Sequence, residues 1–290
     1  MKKITKPSID DIDVLDQLCS NTQVDSYPHL KEHLTTLTTA YSVYENFAGN
    51  AHRITSITLP GNIKNYLKKH YNSPPKAISH ITEIRRESEH LGCPMCGSFS
   101  SGSLDHFLPK NSYPEFSIYS HNLVPACKCN SVRGETIIGT NASERILHPY
   151  YDECLSERLM TIEIESLGAM PRISLRIIIG NEHPEYDAIS FHIRRIVEKT
   201  SVIRHMNRMW GKLCIRPSLI VRCLKHNPTS IENLRNILTE ELYQLDDYHE
   251  SKNNWDSIFI SGLLQEEVTN WLYEKMTGNP NRQPNSPLIY

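Results

Sequence analysis

Two cysteine pairs constrain this chain more than any other feature. The first is Cys93-Pro94-Met95-Cys96, followed by Gly97; the second, further along, is Cys127-Lys128-Cys129. A C-x-x-C closed by glycine has the form of a zinc knuckle, because the tight turn lets both thiolates face one ion. Four thiolates satisfy a tetrahedral structural Zn²⁺, and such a site stabilises a loop-rich segment with little core of its own. The second pair is one residue tighter than the common spacing, so Cys154 or His148 could stand in for one of its members. The competing expectation is four buried cysteines without metal. Cys19, Cys214 and Cys223 lie on apolar patterns and are expected in the core.

The preference for metal over disulfide rests on the compartment. The stretch Met1-Lys2-Lys3-Ile4-Thr5-Lys6-Pro7 is basic with no apolar run behind it, so it is not read as a signal peptide. No run approaches the roughly 18 apolar residues of a membrane span. A cytoplasmic location follows, where thiols stay reduced. With 290 residues, 39% apolar and 22% charged, the chain can bury a core as one large domain or two modest ones. Its formal net charge of −2 excludes a uniformly basic chain. Any grip on nucleic acid must be local or come from a partner.

Helical spacing of apolar residues predicts a helical N-terminal region over 1–90, with helices near 9–19, 30–47 and 63–71 and a fourth from Pro75 to about His90. Residues 91–152 form a different unit, rich in Cys, Pro, Ser and Asn around the cysteines. Over 161–164 and 173–177 apolar residues alternate at period two around Gly168, which predicts a hairpin. Helical pattern returns from 184 to about Lys212, then over 229–247 and 254–277, so 153–277 reads as an α/β C-terminal region. The segment 278–290 holds Pro280, Pro284 and Pro287 and is expected to be a flexible tail.

Between the cysteine pairs lie Asp105-His106-Phe107-Leu108-Pro109-Lys110, then His121-Asn122-Leu123-Val124-Pro125-Ala126, then Cys129-Asn130. These segments resemble, in order and spacing, the D-H-x-x-P-K, N-L-V-P-x-C and C-N elements of the HNH endonuclease family. His148-Pro149-Tyr150-Tyr151-Asp152 resembles a downstream element of one subgroup, extending the likeness more loosely to residue 152. The resemblance implies an α+β, mainly helical chain: a zinc-stapled ββα-metal core flanked by helical regions and a small hairpin. It also implies His106 as general base, Asp105 and Asn130 as ligands of a catalytic Mg²⁺ or Mn²⁺, and Asn122 as the loop residue that orients the base. HNH proteins of this kind often accompany a separate ATPase in bacterial anti-phage defence, which implies an ATPase partner.

The chemistry asks for these residue types in any case. Phosphodiester hydrolysis needs a water, a base that titrates near neutrality and a cation for the charge gathering on phosphate. Histidine suits the second task. Two hard oxygen ligands leave most positions on a Mg²⁺ open. Neighbouring strand residues point to opposite faces, so Asp105 and His106 need a local twist or bulge to face one phosphate. His121 is expected to be structural or exposed to solvent.

For the nucleic acid, Lys110 and Arg133 flank the site and are candidate phosphate contacts, or equally solvated surface charges. Residues 193–226 hold nine Lys/Arg and one acid, Glu198, and Arg204, Arg208 and Lys212 align on one helical face. That stripe suits a DNA backbone, and an RNA backbone as well. Alternatively it packs on residues 229–277, which hold ten Asp/Glu against three Lys/Arg. A non-catalytic reading also stands: a four-cysteine zinc module that binds nucleic acid or protein and has no use for Asp105, His106 or Asn130.

Overall fold

The computed structural model describes residues 1–89 and 91–289. Among these, four α-helices precede the cysteines: α1 (Asp11–Ser20), α2 (Leu34–Asn46), α3 (Gly61–Asn72) and α4 (His80–Ser88). Asp10 caps α1 by accepting the Asp13 N–H at 3.0 Å, which satisfies one of the orphan donors of the first turn. Each helix buries one stripe: Leu15, Leu18 and Cys19 on α1, Leu37, Tyr41 and Tyr44 on α2, Ile63 and Leu67 on α3. The expected end of α4 near His90 lies outside the described residues.

Next comes a short antiparallel hairpin, β1 (Ser103–His106) with β2 (Leu123–Ala126), then the single-turn helix α5 (Lys128–Arg133). Ser103 stands opposite Ala126 and His106 opposite Leu123. The ladder runs residue for residue to His106, without the expected bulge. The second hairpin, β3 (Met160–Glu165) and β4 (Arg172–Ile177), falls where the alternation put it. It is followed by α6 (Tyr186–His192), a π-helical turn over Ile193–Val197, α7 (Val202–Ile215), α8 (Ile231–His249), α9 (Trp255–Leu263) and α10 (Glu266–Thr277). The fold is thus mixed helix and strand with two small hairpins. No helix among the described residues is long and apolar enough to cross a membrane.

The C-terminal helices close over the second hairpin. Gly262 lets α9 approach β3 so nearly that a methyl group there would overlap Ile162. Trp210 of α7 stacks on Trp271 of α10 at 5.2 Å. Two sequence expectations fail here for packing reasons. The segment 278–289 is no loose tail: Leu288 is buried and its N–H donates to the Cys214 carbonyl (2.8 Å), while Arg282 turns inward onto Asn227 and the carbonyls of Met276, Ser286 and Pro287. Cys223, expected in the core, is exposed, because it sits in a short 3₁₀ turn whose inward position is taken by Leu224.

Candidate functional site

Cys93, Cys96, Cys127 and Cys129 converge, all four sulfurs lying within 4.8 Å of one another. Cys93 and Cys129 are 3.6 Å apart and Cys96 and Cys127 3.5 Å. A tetrahedron with metal–sulfur bonds of about 2.3 Å has edges of about 3.8 Å, so the set fits one zinc-sized ion. Cys154 and His148 are not needed as substitutes. The tight second pair works because Cys127 is also the N-cap of α5, its sulfur accepting the Cys129 N–H at 3.4 Å. The Cys127 N–H in turn donates to Cys93 sulfur, also at 3.4 Å. Hydrogen bonds from Cys129, Cys93 and Cys96 hold Cys127 far below the ordinary thiol range, while the contact with Cys127 drives Cys129 up. Four like charges at this spacing repel one another, so full deprotonation needs a cation among them.

The knuckle is anchored from three directions. Trp255 donates its indole N–H to the Cys96 carbonyl (2.9 Å), and the Trp255 backbone N–H and the Asn254 amide both reach the Gly97 carbonyl (3.1 and 3.0 Å). Lys2 donates its backbone N–H to the Pro94 carbonyl (3.1 Å). His192, wholly buried and lowered to about 3 by that burial, stays neutral: Nε2–H donates to the Met95 carbonyl (2.6 Å) and Nδ1 accepts the Leu147 N–H (3.0 Å).

The expected catalytic residues meet at the end of β1. Asp105 is half-buried and accepts from the His106 N–H (2.8 Å) through Oδ1 and from the Asn130 amide (2.8 Å) through Oδ2. Burial works against its charge, but the neighbouring His106 and the Asn130 amide outweigh it and hold the carboxyl well below the usual range. His106 is only 2% exposed. Its Nε2 lies 2.9 Å from the Ser117 carbonyl, which only an N–H can face, so in the neutral ring the lone pair sits on Nδ1. That Nδ1 is buried without a hydrogen-bond partner, 3.7 Å from Asp105 Oδ1. The side chains thus converge without a bulge, since the strand ends at His106.

Three placements differ from expectation. Asn122 does not touch the imidazole. It accepts the Leu108 N–H (2.7 Å) and donates to the carbonyls of Leu108 and Phe116 (both 3.1 Å), fixing the loop whose Ser117 carbonyl orients His106. Arg133, expected as a surface phosphate contact, is buried: it donates to Asn130 Oδ1 (2.6 Å) and to the carbonyls of His106 (3.0 Å) and Phe107 (2.6 Å). Burial lowers its pKa to about 10, and it remains a cation behind the site. Asn130 therefore presents nitrogen, not oxygen, to Asp105, with its oxygen turned to Arg133. Asp105 offers the cluster's carboxylate, with each of its oxygens already accepting an N–H. Asn130 fits a divalent cation only after its amide turns over, which also requires Arg133 to release it.

Further residues gather here that sequence patterns did not mark. The Tyr71 ring lies 4.2 Å from the His106 ring and its hydroxyl donates to the Leu104 carbonyl. Lys110 (4.8 Å) and Arg85 (5.3 Å) sit over the same Tyr71 ring, which brings two cations beside the cluster. Tyr44 hydroxyl bridges Asn122 Oδ1 (3.1 Å) and His148 Nε2 (3.0 Å), tying α2 and the 148–152 element to the loop. His121 bonds Glu45 and the Pro7 carbonyl, a structural place as expected. Tyr71 lies on a helical stripe and Ser117 acts through its backbone, so neither left a signal in sequence. Arg204, Arg208 and Lys212 are all exposed along α7, and none forms an ion pair among the described residues. The basic helix does pack on the acidic segment 229–277, but through its apolar face: α7 meets α9, and Trp210 meets Trp271, while the three cations stay exposed and form no ion pair with that segment's acids among the described residues.

The chain matches no protein-family profile and no solved structure. Over 63 residues it is 40% identical to protein ea31 of Escherichia phage lambda. That stretch is 21% of this chain and 21% of the phage protein, so about a fifth of the relative's length is covered.

Proposed function

We propose that the chain is an HNH-type endonuclease that hydrolyses phosphodiester bonds of DNA, and of RNA where the backbone is accessible. The observation that carries this reading is the orphaned Nδ1 of His106, a buried basic nitrogen without a partner beside an ionised carboxylate. Buried polar atoms are usually satisfied; several here are not, and this one is singled out by the ionised carboxylate beside it. His106 Nδ1 takes the proton of the attacking water, and the Ser117 carbonyl holds the ring in the required tautomer. Asp105, joined by Asn130 once its amide turns, would hold a Mg²⁺- or Mn²⁺-like ion, which would supply positive charge for phosphate and leaving oxygen. Lys110 and Arg85, over the Tyr71 ring, are the cations beside the cluster that phosphates would meet, and a zinc held by the four cysteines would keep β1 and α5 in register. The net charge of −2 favours recruitment by a partner, an ATPase in the defence systems this sequence resembles.

A second reading draws on a specific observation: Asn130 oxygen is held by Arg133 and His106 is 2% exposed. Under it the domain is a zinc module that binds without cutting. Plasmid and single-stranded substrates with Mg²⁺ or Mn²⁺ separate the two. His106→Ala, with zinc content and melting temperature unchanged, is expected to lower cleavage by about 10²- to 10⁴-fold. Equal cleavage by the variant, or none by wild type with any partner supplied, would remove the nuclease reading.

A further inference from the structure

Phe99 lies in the turn that leaves the zinc knuckle. Its ring packs against His205 (centroids 5.0 Å), Trp255 (5.9 Å) and His249 (6.0 Å), yet 42% of its surface stays exposed. A single exposed phenylalanine is commonplace. The company of this one is not. Tyr248, 81% exposed, has its ring 4.9 Å from that of His249. Arg208 donates to His205 Nδ1 at 2.8 Å, so its guanidinium borders the same patch, and exposed Arg204 and Lys212 continue the row along α7. Of the carboxylates nearby, exposed Asp247 forms no ion pair among the described residues, while two others are engaged. Asp256 accepts from His205 Nε2 (2.9 Å) and lies 3.8 Å from His249 Nε2, and Glu250 pairs with Lys2 (3.1 Å).

We propose that Phe99 is a stacking platform for an unpaired base, with Arg208, Arg204 and Lys212 following the phosphates. The substrate class is then nucleic acid with a single-stranded segment. Cations alone follow either a duplex or a single strand, but a duplex hides its base faces in its own stack. An exposed aromatic ring is useful only to a base that is already splayed out. An apolar protein partner could also cover Phe99. Arg208 at its border and the exposed cations that continue along α7, none in an ion pair among the described residues, favour a polyanion instead. The proposal rests on the nucleic-acid part of the reading above and not on cleavage.

Its test measures binding by the zinc-loaded full chain carrying His106→Ala, to a fluorescein-labelled single-stranded oligonucleotide and to a blunt duplex of equal length. Adding Phe99→Ala is expected to weaken single-strand affinity by about 5- to 100-fold and leave the duplex unaffected. Phe99→Trp retains affinity, whereas Phe99→Leu, which keeps the apolar bulk without a stacking face, loses it. Arg208→Gln weakens both ligands and lowers the single-strand salt slope by about 0.7. A 2-aminopurine base in the strand is quenched by the parent and not by Phe99→Leu. Unchanged single-strand affinity in Phe99→Leu overturns the proposal, as does a protein ligand whose binding alone depends on Phe99. Single-strand binding through Phe99 without cleavage by wild type sinks the nuclease reading alone; cleavage with Phe99-independent binding sinks only the platform.

Discussion

Asp11 opens α1 with its carboxylate turned into the protein, where it accepts both the N–H (2.9 Å) and the hydroxyl (2.5 Å) of Ser120. Burial raises it from 3.8 to about 6 in spite of those two bonds. The native state therefore holds this proton more tightly than the unfolded chain. Its contribution to stability is complete below pH 4 and is lost as pH rises through about 6, a difference of about 3 kcal/mol at 1.36 kcal/mol per unit. Asparagine keeps both contacts, accepting the N–H and donating to the hydroxyl, and carries no charge to desolvate. Asp11→Asn is expected to melt above wild type at pH 7.5, with the gap about halved at pH 5 and closed below about pH 4. The comparison is between the two chains, because acid-driven zinc release weakens both alike. A gap independent of pH would mean that Asp11 is not destabilised by its charge. At this scale sequence was most informative where chemistry restricts residue type. Cysteine pairs, an Asp-His neighbour and a following Asn have few interchangeable substitutes, and all of them converge in the fold. Arg133 shows the limit. Its position three residues beyond Asn130 looks like any basic helix end, and only the return of the 107–122 loop decides that it is buried.

Among the elements, the zinc knuckle has the least freedom. Gly97 closes it at φ +79°, and a methyl there would overlap the Asn253 carbonyl oxygen. Asn253 cannot yield, since its side chain donates to the Glu157 carbonyl (2.6 Å) and accepts the Leu159 N–H (2.7 Å). Gly97→Ala therefore meets both a left-handed backbone penalty and a clash with fixed backbone, for a loss of about 3 kcal/mol or more in urea unfolding with zinc in excess. Gly102 separates the two contributions: its φ is +73° but no atom lies within 4 Å of an added methyl. Gly102→Ala should cost only the backbone part, about 1–2 kcal/mol. Equal losses at the two glycines would show that the approach of Asn253 is irrelevant. Long helices and the β3–β4 hairpin were legible from period, because a dozen residues sample one face repeatedly. β1 and β2, four residues each, are too short for that and were placed only by the motif around them. The π-helical turn at Ile193–Val197 has no compositional mark. It lies one residue beyond His192, whose bonds to Met95 and Leu147 are long-range. The closing segment misled because prolines signal the absence of helix, not the absence of packing.

Across the whole molecule, the regions that composition separated share the knuckle as a common support. Residues from the start of the chain, from the loop before α9 and from α6 all hydrogen-bond to carbonyls between Pro94 and Gly97. The candidate nuclease segment thus lacks an independent boundary on that side, and an ion held by the four cysteines would stabilise the C-terminal helices as well as its own hairpin. The three tryptophans report on those helices: Trp255 bonds the Cys96 carbonyl directly, and Trp210 and Trp271 stack within the C-terminal group. If zinc supports the fold only locally, chelation should release it with little change in tryptophan emission, and the helices should melt later. With the knuckle joined as described, removing one ligand side takes away the shape that Asn253, Asn254, Trp255 and His192 are built around. Zinc release, followed with a chelating dye, and tryptophan exposure should then coincide in a single guanidinium transition, and excess zinc should move both midpoints upward together. Cys127→Ser should shift that joint transition down rather than create a second one, since serine keeps the α5 cap and loses the thiolate. Two resolved transitions, zinc first and tryptophan afterwards, would instead make the metal centre a self-contained module resting on an independently stable helical body.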